Sequence, residues 1–174
     1  MFARQLFIDS LDFAGNGREL RGAVPLAAMP RLHDMLAVAE GELDYVVRGY
    51  FDQHSAGRQG KPILEVALTG HCQLRCQRCL LGLSYPVQLM SRLLLVEASE
   101  VDEFSAEEDE IDSIPADKHL NVFDLLEEEL LLSLPFAPMH PAGTCQPVMA
   151  GYMAEEMAQT EKNPFAVLAE LKRK

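Results

Sequence analysis

Hydrophobic and polar positions alternate most regularly after residue 63. Leu64, Val66, Leu68, Cys72, Leu74 and Cys76 share one parity, and Glu65, Thr69, His71, Gln73 and Arg75 hold the other. A period of two marks a strand with one buried face, which points Cys72 toward the core with the leucines. A second extended run, residues 85–96, keeps Val87, Leu89, Leu93 and Leu95 on one parity. Residues 79–84 between the runs predict the turn of an antiparallel pair, with Cys76 and Cys79 at its tip. Upstream, the β-branched and aromatic residues of 43–51 predict a strand, and polar residues 52–60, with Gly57 and Gly60, a hairpin loop. Leu32, Met35 and Leu36 recur at helical spacing behind Pro30, predicting a short helix over 30–37. The opening segment, with Phe2, Leu6, Phe7, Ile8, Leu11 and Phe13 before Gly15 and Gly17, has a mixed pattern.

The period changes downstream. Asn121 is an N-cap residue, Asp124 falls in the first turn, and Phe123, Leu126, Leu130 and Leu134 recur at helical spacing up to Pro135. These signals predict a helix over 121–134, apolar around more than half its circumference and lying deep against the sheet. Glu127 to Glu129 read as its solvated edge. Asn163, Pro164, the stripe Phe165, Leu168 and Leu171, and the basic end Lys172 to Lys174 predict a terminal helix over 163–174. A helix that short is marginal in water, so its stripe needs a surface to dock on.

Together these elements describe one α+β domain over 1–174, an antiparallel sheet or small barrel with packed helices. Its length of 174 residues suits one sizeable core. No apolar run approaches the roughly 20 residues of a membrane span. The first residues lack the apolar stretch of a secretory signal, making a soluble cytoplasmic protein the expectation.

Charge is unevenly placed. Residues 1–96 hold 10 Lys/Arg against 9 Asp/Glu, whereas residues 97–174 hold 5 against 18, within a net charge of −12. Residues 97–112 have nine carboxylates and no base, which predicts a flexible acidic loop at about 97–118. A chain this acidic does not bind nucleic acid indiscriminately, so DNA is not expected and any RNA contact is local. The acidity serves solubility or meets a basic partner such as a ribosomal protein.

Chemistry concentrates in Cys76 and Cys79, spaced as half of a tetrahedral zinc site. His140 and Cys145, in a proline-punctuated loop, could supply the other half. Four reduced thiols, some packed as small hydrophobes, fit the same pattern. Cys72 is assigned to the core. A thiol-dependent redox enzyme using Cys76 and Cys79 needs a helix after the pair, and Gly82 and Tyr85-Pro86 oppose one. No nucleophile elbow, Walker loop or dinucleotide fingerprint occurs. Arg75 and Arg78 flank Cys76 and could hold phosphate, although solvated arginines are ordinary at turns.

Cys76-Gln-Arg-Cys79-Leu80 after the alternating strand, the helix and its following Met139-His140 and Cys145, and the ending Asn163-Pro-Phe-Ala-Val-Leu-Ala-Glu-Leu-Lys172 resemble the YceD family of large ribosomal RNA subunit accumulation proteins. The resemblance runs over most of the chain. It implies a bacterial cytoplasmic, non-enzymatic factor needed for accumulation of large-subunit (23S) ribosomal RNA. It also implies that Cys76, Cys79, His140 and Cys145, but not Cys72, occupy recurring positions. The expected partner is a ribosomal protein or large-subunit ribosomal RNA, with Arg75, Arg78, Phe165 and Leu168 as contact residues. An adaptor whose acidic loop grips a basic ribosomal protein is a further alternative.

Overall fold

The structure, a computed structural model, describes residues 6–52, 60–99 and 111–145. The chain divides into two compact units, Met1–Met139 and His140–Lys174. In the first, strands β1 (Phe7–Ile8), β2 (Glu19–Pro25), β3 (Leu36–Val38), β4 (Glu42–Asp52), β5 (Lys61–Arg75), β6 (Gly82–Val96), β7 (Asp112–Pro115) and β8 (Leu120–Asn121) accompany helices α1 (Ser10–Gly15) and α2 (Val122–Ser133). In the second, residues 140–145 are described. There the Thr144 N–H and Oγ1 both bond the Pro141 carbonyl, at 3.2 and 2.7 Å.

β5 is the axis of the first unit. β4 pairs with it antiparallel from Leu43↔Gly70 to Asp52↔Lys61, and β6 from Ile63↔Leu94 to Arg75↔Gly82. Alternation decides which face turns inward. Leu64, Val66, Leu68, Cys72 and Leu74 are buried, whereas Thr69, His71, Gln73 and Arg75 are exposed. Burying one such leucine or valine contributes about 1.5–3 kcal/mol. α1 rests on this layer where Gly49 of β4 passes it, since a Cβ there would stand 2.7 Å from the Ala14 backbone. Ser10, at the start of α1, exchanges two hydrogen bonds with the Asp117 backbone, at 2.9 and 3.0 Å, and so ties α1 to the segment before β8.

The sheet is mostly antiparallel and runs β2-β4-β5-β6-β7, with β3 beside the far end of β5. It does not close into the small barrel that strand-rich patterning allowed. β7 is short and pairs parallel to β6, and among the described residues β2 pairs only with β4. Two further expectations change. Residues 30–37 form no α-helix: Leu26–Ala28 and Pro30–Leu32 are 3-10 turns, and Leu36–Val38 is strand. Leu32 and Leu36 are buried and Met35 packs partly buried against the core, so the helix-like spacing reflects three inward anchors on an irregular segment. Within the acidic stretch at 97–118, Asp112–Pro115 is strand β7, whose Ile114 packs on the core, and Ile111 just before it packs on a smaller cluster with Ile63, Leu94 and Val96. Residues 100–110 and the expected helix over 163–174 lie outside the described residues.

Helix α2 matches its expected bounds. The Asn121 side chain accepts from the Phe123 N–H at 3.2 Å, and Val122, Leu125, Leu126 and Leu130 are buried. The solvated edge expected at Glu127 to Glu129 is corrected: Glu127 and Glu129 are 5% and 8% exposed, while Leu132 is 74% exposed. Each buried carboxylate has a donor. The Arg31 N–H donates to Glu127 at 2.6 Å, and the Ser91 hydroxyl to Glu129 at 2.5 Å. The helix therefore turns these two glutamates inward, because the 3-10 turn at Pro30 and strand β6 present donors that a third layer of leucine would leave unpaired.

Burial pushes the Glu129 carboxyl above its ordinary range, with the Ser91 bond opposing it and the charges of Asp112 and Glu128 adding to it. Folding therefore favours protonated Glu129. Its contribution is full below the ordinary carboxylate range and is lost as pH rises through its elevated titration. Urea unfolding of the wild type and Glu129→Gln from pH 4 to 8 should show the variant gaining relative stability as pH rises. A difference that is flat with pH would contradict this assignment. In the same assay Leu126→Ala, at a fully buried site, should cost about 3 kcal/mol.

Candidate metal centre

The turn that joins β5 to β6 spans residues 76–81, three residues ahead of the expected 79–84, because pairing persists to Arg75↔Gly82. The Cys76 N–H donates to the Leu81 carbonyl at 2.9 Å, and the Leu80 N–H to the Cys76 carbonyl at 2.8 Å. Leu80 takes φ 62°, a left-handed conformation that costs a non-glycine residue about 1 kcal/mol or more. Cys76 continues the inward parity of Leu74, and Cys79 sits in the turn immediately before the left-handed Leu80. Both are buried, whereas Gln77, Arg78, Leu80 and Leu81 face solvent. The Gln77 N–H donates to the Pro138 carbonyl at 2.9 Å, which fixes the outer side of the turn to the segment after α2.

In residues 140–145, the Cys145 Sγ lies 3.6 Å from the His140 Nδ1. The cysteine and histidine side chains that could together supply metal ligands are Cys76 and Cys79 in the first unit and His140 and Cys145 in the second. Such a Cys₃His group could hold a metal ion. Zinc bonds of about 2.3 Å to sulfur and 2.0–2.1 Å to nitrogen, at tetrahedral angles, separate a sulfur from a nitrogen ligand by about 3.6 Å. The His140–Cys145 spacing meets that requirement, and thiolate with imidazole is a donor set zinc favours. Four protein ligands leave no open coordination position, so a metal held there would be structural.

Cys72 is separate from this group. It is buried in the main core, and burial pushes its thiol above the ordinary range. Arg75 and Arg78 are exposed at the turn, while Phe165 and Leu168 lie outside the described residues. Phe136 was not singled out by sequence pattern, yet it is fully exposed, two residues before Pro138. Its signal was available in part, since an aromatic flanked by Pro135 and Pro138 belongs to no periodic face.

The family profile described as large ribosomal RNA subunit accumulation protein YceD matches residues 64–172. A relative named large ribosomal RNA subunit accumulation protein YceD, from Haemophilus influenzae, is 42% identical over 59 residues, covering 32% of this chain and 33% of the relative. The matched stretch thus spans about a third of that curated relative's length. No solved structure matches the chain.

The core placement of Cys72 gives a direct test. In the native protein at pH 8, Cys72 should resist iodoacetamide over hours and react within minutes in urea, read by peptide mass spectrometry. Cys72→Ala should cost about 1 kcal/mol, the worth of a small buried apolar group. Rapid native alkylation of Cys72 would contradict the core assignment.

Proposed function

This chain belongs to the YceD family, and on that premise we propose that it is a non-enzymatic factor in the accumulation of large-subunit (23S) ribosomal RNA. In this reading it acts during ribosome biogenesis in the cytoplasm, through contacts with a ribosomal protein or a local segment of that RNA. The observation that carries the reading is the profile match over 64–172, which includes most of β5, all of β6 and α2, and all four metal-ligand candidates. A cytoplasmic place agrees with a described structure in which no helix is long and apolar enough to cross a membrane.

Within this function, Cys76, Cys79, His140 and Cys145 hold a structural zinc ion. The ion supplies no reaction; it fixes the turn that presents Arg75 and Arg78. The burial of Cys76 and Cys79 supports this role over the redox alternative, because a catalytic thiolate needs access and a lowered pKa, which a helix N-terminus would lend. Here the pair occupies a β-turn.

Two measurements test these assignments. Purified protein should contain one zinc per chain by mass spectrometry under native conditions. Cys76→Ser and His140→Ala should reduce that content severalfold, whereas Cys72→Ala should leave it unchanged. Absence of zinc with free, reactive thiols at 76 and 79 would support the redox alternative. In cells, removal of the protein should lower large-subunit ribosomal RNA relative to small-subunit ribosomal RNA. An unchanged ratio would overturn the biogenesis reading.

A further inference from the structure

Charge along the β5–β6 hairpin is distributed unlike that in the rest of the chain. Between Glu65 and Glu97 there is no Asp or Glu, although the protein has 27 of them. The strand register places His71, Gln73 and Arg75 on the solvent face of β5, opposite Pro86, Ser84 and Gly82 of β6, none of which carries charge. Arg78 follows, exposed in the turn.

The state of Arg75 separates it from other arginines. Arg18 pairs with Asp12, Arg21 and Arg48 with Glu19, Arg31 with Glu128, and Arg92 with Asp52. The Arg75 guanidinium instead donates to the Leu36 backbone carbonyl at 3.3 Å, which orients the group without neutralising it. Asp34 and Glu40 are the carboxylates nearest in sequence on the β3 side, and among the described residues neither forms an ion pair with Arg75. The Gln77 to Pro138 bond brings the chain carrying Phe136 to the same turn, and the Phe136 ring is 100% exposed.

Building on the ribosomal RNA reading above, we propose that this end of the hairpin is a docking surface for a short single-stranded segment of RNA, with Arg75 and Arg78 on phosphates and Phe136 stacking on an unpaired base. Charge complementarity selects the partner. A basic protein is drawn to the acidic parts of the chain and repelled here, whereas phosphate is attracted here and repelled elsewhere. The two arginines supply few phosphate contacts, and an isolated exposed ring is useful only to a base free of its own stack, which favours a single strand over a duplex.

A photoreactive benzoylphenylalanine replacing Phe136 in the full-length protein, irradiated in growing cells, reads the partner directly. The expected adduct is ribonuclease-sensitive, contains large-subunit ribosomal RNA, and falls at least tenfold when Arg75→Glu and Arg78→Glu are added. Unchanged circular dichroism and melting would show that those variants fold. With purified protein and a fluorescein-labelled ten-residue oligouridylate, log affinity against log salt should have a slope of about −1.4, two phosphates at about −0.7 each. Phe136→Ala should weaken this binding severalfold without altering the slope. An adduct to protein, an adduct indifferent to the arginine changes, or no adduct would each overturn the proposal. If Arg75→Glu with Arg78→Glu leaves ribosomal RNA levels normal while removal of the protein lowers them, the surface assignment fails and the family-level function stands. If removal lowers nothing, the function itself fails.

Discussion

The double pairing of β5 is the constraint on which the first unit depends. Its backbone is bonded on both edges for most of its length, so a slip of one residue would break two ladders and send every leucine of the strand to the solvent face. That register puts Leu64, Val66, Leu68 and Leu74 in one core with the buried residues of α1 and α2, and the same parity carries Cys76 inward at the strand's end. The inward direction of the first thiol is thus set by the leucines before it, not by any property of sulfur. The exposure of Arg75 follows from the same alternation read on the other face.

Strong local periodicity was legible. The hairpin β5–β6, strand β4 and helix α2 appear near their expected bounds because each has a repeated apolar period and its own punctuation, as with the Asn121 cap. What escaped was set by partners distant in sequence. Nothing around Glu127 and Glu129 announces burial. Their donors, the Arg31 N–H and the Ser91 hydroxyl, come from other elements, so only the assembled layers show why these glutamates face inward and Leu132 outward. Likewise Leu32, Met35 and Leu36 mimic a helix, but the pairing of Leu36 with Leu74 draws that end of the segment into the sheet.

The candidate site was legible in kind more than in shape. Spacing singled out Cys76 with Cys79 and His140 with Cys145, and Cys72, outside either spacing and on the leucine parity, lies in the main core. Sequence could not show the left-handed Leu80 that follows the second thiol in the turn, or the Gln77 to Pro138 bond, since a backbone bond between remote segments has no side-chain signature. The same bond is why Phe136, unremarkable in the string of residues, becomes a feature of the hairpin's end.

The parallel pairing of β7 with β6 has a practical corollary for work on the acidic stretch between them. Two strands running the same way cannot be joined by a tight reversal; the intervening chain must travel back along the sheet before the next strand begins, which takes about a dozen residues or more. Fifteen residues, 97–111, separate Val96 from Asp112 in sequence. Their length is a topological requirement independent of their charge. Excision would confound lost acidity with a severed crossover, and only isosteric Asn and Gln replacements made in place can separate the two.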